Sequence, residues 1–231
     1  MTELQSLLEN ESENYLVTTI VGGNRWKANT YLIASKKSVK AFLIDSGGES
    51  VELLSTINPV CGNIGFILLT HGHFDHLSSA AEICAANNLP CIVHPRDLKL
   101  ARHAPFYAIS FDGSTVTVPK TIIPMELPDS VYCAEWDITV METPGHTAGS
   151  CCYIIDKFVF TGDTLIKEAI GRTDQPGGDH GSISKSIANI LEKAPDDGII
   201  FPGHGRPWTV VEARSWWNNL EENPPQHNSF L

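Results

Sequence analysis

Apolar and polar residues fall along the chain in short blocks. Tyr15–Val21 (YLVTTIV), Thr30–Ile33 and Lys40–Ile44 (KAFLI) are β-rich runs, with Gly22-Gly23-Asn24 and Lys36-Lys37 as turns between them. They predict an antiparallel start. Ser50–Ile57 predicts a short helix. Ile64–Leu69 (IGFILL) is a continuous apolar run, the mark of a strand buried on both faces. Leu77–Asn87 (LSSAAEICAAN) carries apolar residues at helical spacing, Pro90–His94 predicts a strand and Pro95–His103 a helix. The middle of the chain therefore reads β-α-β-α.

After Ala104 the pattern changes. Thr115–Val118, Asp137–Met141, Cys152–Ile155 and Phe158–Phe160 predict short strands between Gly and Pro turns. Ser182–Lys193 predicts an amphipathic helix with Ile183, Ile187, Ile190 and Leu191 on one side. Ile199–Phe201 predicts a last strand and Val210–Leu220 a last helix. No internal repeat or Pro/Gly/Ser linker divides the sequence. The pattern suggests two sheets packed face to face with helices outside, one α/β layered domain over residues 1–231.

Composition narrows the partners. The 231 residues are 42% hydrophobic and 19% charged, enough apolar material for a full core, which argues against disorder. A net charge of −11 argues against nucleic acid and anionic membrane, which need clustered Lys and Arg. Residues 1–15 are acidic and lack the positive start of a secretory signal, and no run reaches the ~18 apolar residues of a membrane span. Six scattered cysteines without a C-x-x-C pair read as reduced thiols, so a cytoplasmic location is expected.

The chemistry sits at strand ends. The buried run ends in Thr70-His71-Gly72-His73-Phe74-Asp75-His76. His71 and His73 are two apart, so a turning backbone can aim both at one ion, while Asp75 and His76, at the start of the next helix, can address a second point. A single histidine here would read as a solvated loop residue; H-x-H-x-D-H together reads as a metal site. Three later sites place one donor past a strand end beside glycine: Gly145-His146, Gly162-Asp163 and Gly203-His204. Each alone is an ordinary turn residue, but with the first motif they become candidate ligands.

These motifs, in this order, resemble the metallo-β-lactamase-fold hydrolase superfamily over almost the whole chain. The resemblance implies an αββα four-layer sandwich with a two-metal site at one edge. It implies that His71, His73 and His146 hold one metal, Asp75, His76 and His204 the other, and that Asp163 bridges them. Asp75 and Asp163 are then the catalytic carboxylates, and Asp45 orients ligands from behind. Imidazole and carboxylate donors suit zinc, iron or manganese, with two zinc ions the leading expectation. Two such ions activate a water near neutral pH, and no Ser or Cys nucleophile is needed.

Gly171-Arg172-Thr173-Asp174 and Pro176-Gly177-Gly178-Asp179 resemble the short, glyoxalase II-like hydrolases, as does the Asn228-Ser229-Phe230-Leu231 ending, with Ser in place of Pro. This implies a hydroxyacylglutathione-type thioester as substrate, with Arg172 as a candidate contact. The alternative for Arg172 is a structural pair with Asp174 or Asp179. Only 27 residues follow His204, too few for the basic C-terminal domain of larger glyoxalase II enzymes. Residues 207–231 form an extension carrying Trp208, Trp216 and Trp217, read by default as core packing, with a homo-oligomer contact also open.

Other branches compete. A persulfide dioxygenase would use one iron on His71, His146 and Asp163, but Thr164 stands where that family commonly has Ala. A lactonase of the same fold stays open, and a binding scaffold is disfavoured by the complete ligand set. His94, His103, His180 and His227 read as surface or supporting histidines.

Overall fold

Strand-forming runs at the start of the chain build one mixed sheet. The computed structural model describes residues 8–48, 64–127 and 136–222. They form two compact units, residues 1–93 with 98–124, and residues 94–97 with 125–231. The first unit holds a seven-stranded sheet in the order β1-β2-β3-β4-β5-β6-β7. Its strands are β1 (Leu8–Glu11), β2 (Tyr15–Val21), β3 (Asn29–Ser35), β4 (Ala41–Ile44), β5 (Ile64–Leu68), β6 (Cys91–Val93) and β7 (Ile122–Pro124). β2 to β4 pair antiparallel, as the turn residues predict, and β1, which the sequence pattern does not announce, also joins β2 antiparallel. β4 to β7 pair parallel, which suits the apolar runs of β5 and β6. Within β5 only Gly65 is exposed.

Among the described residues, three α-helices belong to this unit: α1 (Ala80–Asn87), α2 (Leu98–Arg102) and α3 (Ala104–Asp112). Their buried residues join those of the sheet in one apolar cluster that includes Leu43, Ile67, Leu77, Ile83 and Ala108. α1 begins later than the Leu77 start, because a 3-10 turn over Phe74–His76 precedes it. The predicted Pro95–His103 helix divides into a 3-10 turn, Pro95–Asp97, and α2.

The second unit holds a five-stranded sheet in the order β14-β13-β10-β9-β8 and a small hairpin, β11-β12. The strands are β8 (Thr139–Glu142), β9 (Cys151–Ile155), β10 (Phe158–Gly162), β11 (Leu165–Ile166), β12 (Ala169–Ile170), β13 (Ile199–Pro202) and β14 (Trp208–Thr209). α4 (His180–Lys193) starts where the Asp179 carboxylate accepts the Ser182 N–H at 2.7 Å, an N-cap that satisfies one orphan donor. Its Ile183, Ile187, Ile190 and Leu191 face the core, as their spacing predicts. α5 (Val210–Glu222) opens on a capping box: Glu212 accepts the Thr209 N–H at 2.7 Å, and Thr209 Oγ1 accepts the Glu212 N–H at 3.1 Å. Trp208 and Trp217 are buried against α4, so this part of the extension packs on the core.

One predicted strand is absent from the ladders, and one helix is not announced by the sequence pattern. Thr115–Val118 alternates in burial but joins no ladder among the described residues, since Val116 and Val118 pack against the core without a pairing strand. Ala104–Asp112 is helical with no strong apolar stripe; Pro105 at its start and Gly113 in the left-handed region (φ 74°) at its end delimit it. The Ser50–Ile57 segment, Cys61, Cys133 and the Asn228–Leu231 ending lie outside the described residues. Cys84, Cys91, Cys151 and Cys152 are free thiols, as expected. No helix among the described residues is long and apolar enough to cross a membrane.

Candidate metal centre

The parallel arrangement of β4 and β5 carries both strands to the same edge, where ligands gather in α/β sheets. β4 delivers Asp45 and β5 delivers Thr70 to His76. Asp45 has φ 57°, a left-handed conformation that Asp tolerates better than most residues. Its carboxylate is fully buried and takes three hydrogen bonds. The Thr70 N–H donates to Oδ1 at 2.8 Å, and the Thr70 hydroxyl donates to Oδ2 at 2.8 Å. His76 Nδ1–H donates to Oδ2 at 2.9 Å.

These bonds fix ring tautomers. A carboxylate only accepts, so His76 carries a proton on Nδ1, and in the neutral ring Nε2 is unprotonated. The single Thr70 hydroxyl proton goes to Asp45, so its oxygen accepts from His71 Nδ1–H at 3.0 Å. In neutral His71 the Nε2 is therefore also unprotonated. That nitrogen stands 3.1 Å from His73 Nδ1, with the two rings nearly perpendicular at 86°. His76 Nε2 lies 3.7 Å from Asp75 Oδ2. His71, Asp75 and His76 are buried, and His73 is half-buried.

The second unit repeats the logic. His146 follows β8, Asp163 follows β10 and His204 follows β13. His146 Nδ1–H donates to the Arg172 carbonyl at 2.8 Å, which in the neutral ring again makes Nε2 the unprotonated nitrogen. That nitrogen is 3.5 Å from Asp163 Oδ2, and His204 Nε2 is 3.4 Å from the same oxygen. Two glycines make this geometry attainable. Gly145 has φ 139°, and a Cβ there would strike the Ile183 backbone. A Cβ on Gly171 would strike the Asp163 carbonyl.

The donor spacing fits a cation. Two ligands on tetrahedral bonds of ~2 Å lie about 3.3 Å apart. The nitrogen and oxygen pairs here, 3.1 to 3.7 Å, bracket that value. The His76–Asp75, His146–Asp163 and His204–Asp163 separations, 3.7, 3.5 and 3.4 Å, exceed a good hydrogen bond, while suiting co-ligands. The donor set and the unprotonated ring nitrogens therefore fit divalent-metal binding.

Arg172, a candidate substrate contact, instead closes a fork on Asp174, with Nε and the guanidinium terminus each 2.7 Å from a carboxylate oxygen. This hydrogen bonding holds Asp174 down to about 2. Asp179 serves as the α4 cap. Asp97, absent from the motif reading, is buried and accepts Thr147 Oγ1–H and Gly149 N–H, both at 2.7 Å. It pins the turn that carries His146. His94 is buried as well, and burial followed by the Arg96 charge lowers its pKa.

All seven candidate ligands lie within residues 23–204, the stretch that matches the metallo-beta-lactamase superfamily model. The chain belongs to that superfamily of metal-dependent hydrolases. A probable metallo-hydrolase of Methanocaldococcus jannaschii is 32% identical over 193 residues, 80% of this chain and 91% of its own. Hydroxyacylglutathione hydrolase GloC of Haemophilus influenzae is 34% identical over 192 residues, 75% and 84% of the two chains. Among solved structures, TTHA1623, crystallised in a di-iron-bound form, aligns with TM-score 0.75 and 30% identity over 85% of this chain and 96% of its own. The α/β metallo-β-lactamase fold expected from the sequence is the fold of this chain.

Proposed function

We propose that the two half-sites act as one binuclear centre of a thioester hydrolase of the glyoxalase II type. His71, His73 and His146 would hold one metal, and Asp75, His76 and His204 the second, with Asp163 between them. The observation that carries this reading is the set of donor pairs 3.1 to 3.7 Å apart, with the ring proton of His71, His76 and His146 held on Nδ1. The GloC relative supports the thioester class. Bound divalent ions, zinc first and iron or manganese as alternatives, would supply an activated water near neutral pH and polarise the acyl carbonyl.

The chain's own residues do the rest. Asp75 and Asp163 carry the carboxylates of the set, and their negative charge offsets that of the ions. Asp45 and the Arg172 carbonyl keep the ring tautomers right for ligation. In the reaction the water oxygen bonds to the acyl carbon, the carbon–sulfur bond breaks, and a carboxylate and a thiol leave. The location is expected to be cytoplasmic, with a small-molecule substrate.

The test is purification without added metal, elemental analysis, and assay against thioesters, lactones and persulfides with oxygen uptake recorded. Two metals and thioester cleavage are expected, both lost in His71→Ala. One iron with stoichiometric oxygen consumption on glutathione persulfide would overturn the hydrolase reading.

A further inference from the structure

A cavity of about 660 Å³ in the first unit has Asp75 on its wall, together with Arg25, Trp26, Phe74, Asp112 and Val116. The reacting centre proposed above would therefore be in contact with this space. Its aromatic side is already ordered. The Trp26 indole N–H donates to Asp112 at 2.6 Å, and Trp26 meets Phe74 edge-on at 5.4 Å. An apolar segment laid along these rings would lose little side-chain freedom from the wall.

Arg25 is the distinctive group. Its guanidinium stacks 5.0 Å over Trp26, and its side chain is 67% exposed. Its ion pair with Asp112 is long, 3.9 Å. Asp112 is engaged elsewhere, accepting the Ser114 N–H at 2.9 Å as well as the Trp26 indole. Those bonds, from Ser114 first, hold the Asp112 pKa down. The Arg25 fork thus keeps donors that a planar carboxylate can take in pairs. Arg172 offers the contrast, with its fork filled by Asp174.

We infer that this cavity receives the carboxylate-bearing end of a thioester, with Arg25 as the carboxylate contact and Trp26 and Phe74 against the intervening chain. The inference rests on the hydrolase reading above and adds the substrate class. Glu82 also lines the cavity and is exposed, so a cationic end is the competing outcome.

The experiment uses the full-length, metal-loaded protein and four probes. S-acetylglutathione carries carboxylates on the thiol side, and S-succinyl-N-acetylcysteamine carries one on the acyl side. S-acetyl-N-acetylcysteamine is neutral, and S-β-alanyl-N-acetylcysteamine is cationic. At least one carboxylate probe is expected to exceed the neutral one in kcat/KM, and which one does identifies the side. Arg25→Gln should cut that ratio about tenfold, with part of it regained in Arg25→Lys, which keeps the charge without the fork. Equal kcat/KM for neutral and carboxylate probes overturns the inference and leaves the hydrolase reading standing. So does preference for the β-alanyl probe, or a ratio that Arg25→Gln does not move. Failure to cleave any probe overturns the hydrolase reading instead. Calorimetric titration with glutathione and with succinate then decides the cavity: binding weakened about tenfold in Arg25→Gln supports the inference, and no binding, or binding that the substitution does not weaken, overturns it.

Discussion

His76 Nδ1 and Asp45 Oδ2 meet at 2.9 Å, with both side chains essentially out of reach of water. The bond decides which histidine nitrogen faces a metal. Asp45→Asn should separate this role from the fold. Asn tolerates φ 57°, and its carbonyl can still accept the Thr70 N–H. Its amide can present hydrogens toward His76 Nδ1 and favour the tautomer protonated on Nε2. Metal affinity should fall about 10–100-fold in chelator competition while the protein stays folded. Unchanged affinity would sink this account of Asp45.

Much of the centre is legible in the sequence because its donors sit next to strand ends. IGFILL announces β5, and four candidate ligands, His71, His73, Asp75 and His76, follow within eight residues. The Asp45 bonds to Thr70 and His76 are less so, since they join residues 25 and 31 apart. Asp97 is hidden for the same reason, its partners lying 50 and 52 residues on. α3 escapes because Phe106, Ile109 and Phe111 are exposed and leave no single apolar face. Thr115–Val118 misleads in the other direction: alternation reports half-burial, and a strand also needs a partner.

Asp97→Ala tests the support of the His146 turn. It removes the acceptor for the Thr147 hydroxyl and the Gly149 N–H, both buried. Two unsatisfied donors should cost about 2–4 kcal/mol in urea unfolding. Asp97→Asn keeps one acceptor and should cost less. Metal held through His146 should weaken in both variants, read by chelator competition. A stability loss with metal affinity intact would confine Asp97 to the fold.

Arg172→Gln separates side chain from backbone. His146 uses only the carbonyl of residue 172, so metal affinity should stay within about twofold. The Arg172–Asp174 pair is exposed, and its loss should change stability by less than about 1 kcal/mol. By NMR titration, Asp174 should return from about 2 toward its ordinary 3.8. A tenfold drop in metal affinity would mean that the side chain orients the carbonyl.

The buried thiols give a pH signature. Burial pushes Cys84 up to about 12 and raises Cys152 as well. In the unfolded chain Cys84 ionises near 9.0. Below that pH both states are protonated, and this contribution to stability is fully present. Between 9.0 and about 12 the unfolded state releases its proton first, so stability should fall as pH rises. The same argument predicts that iodoacetamide at pH 8 leaves Cys84 and Cys152 unmodified in the native protein, since the thiolate is the nucleophile. Peptide-resolved mass spectrometry before and after urea unfolding reads the difference. Rapid native labelling of Cys84 would show that its site opens faster than the packing in the α1 cluster implies.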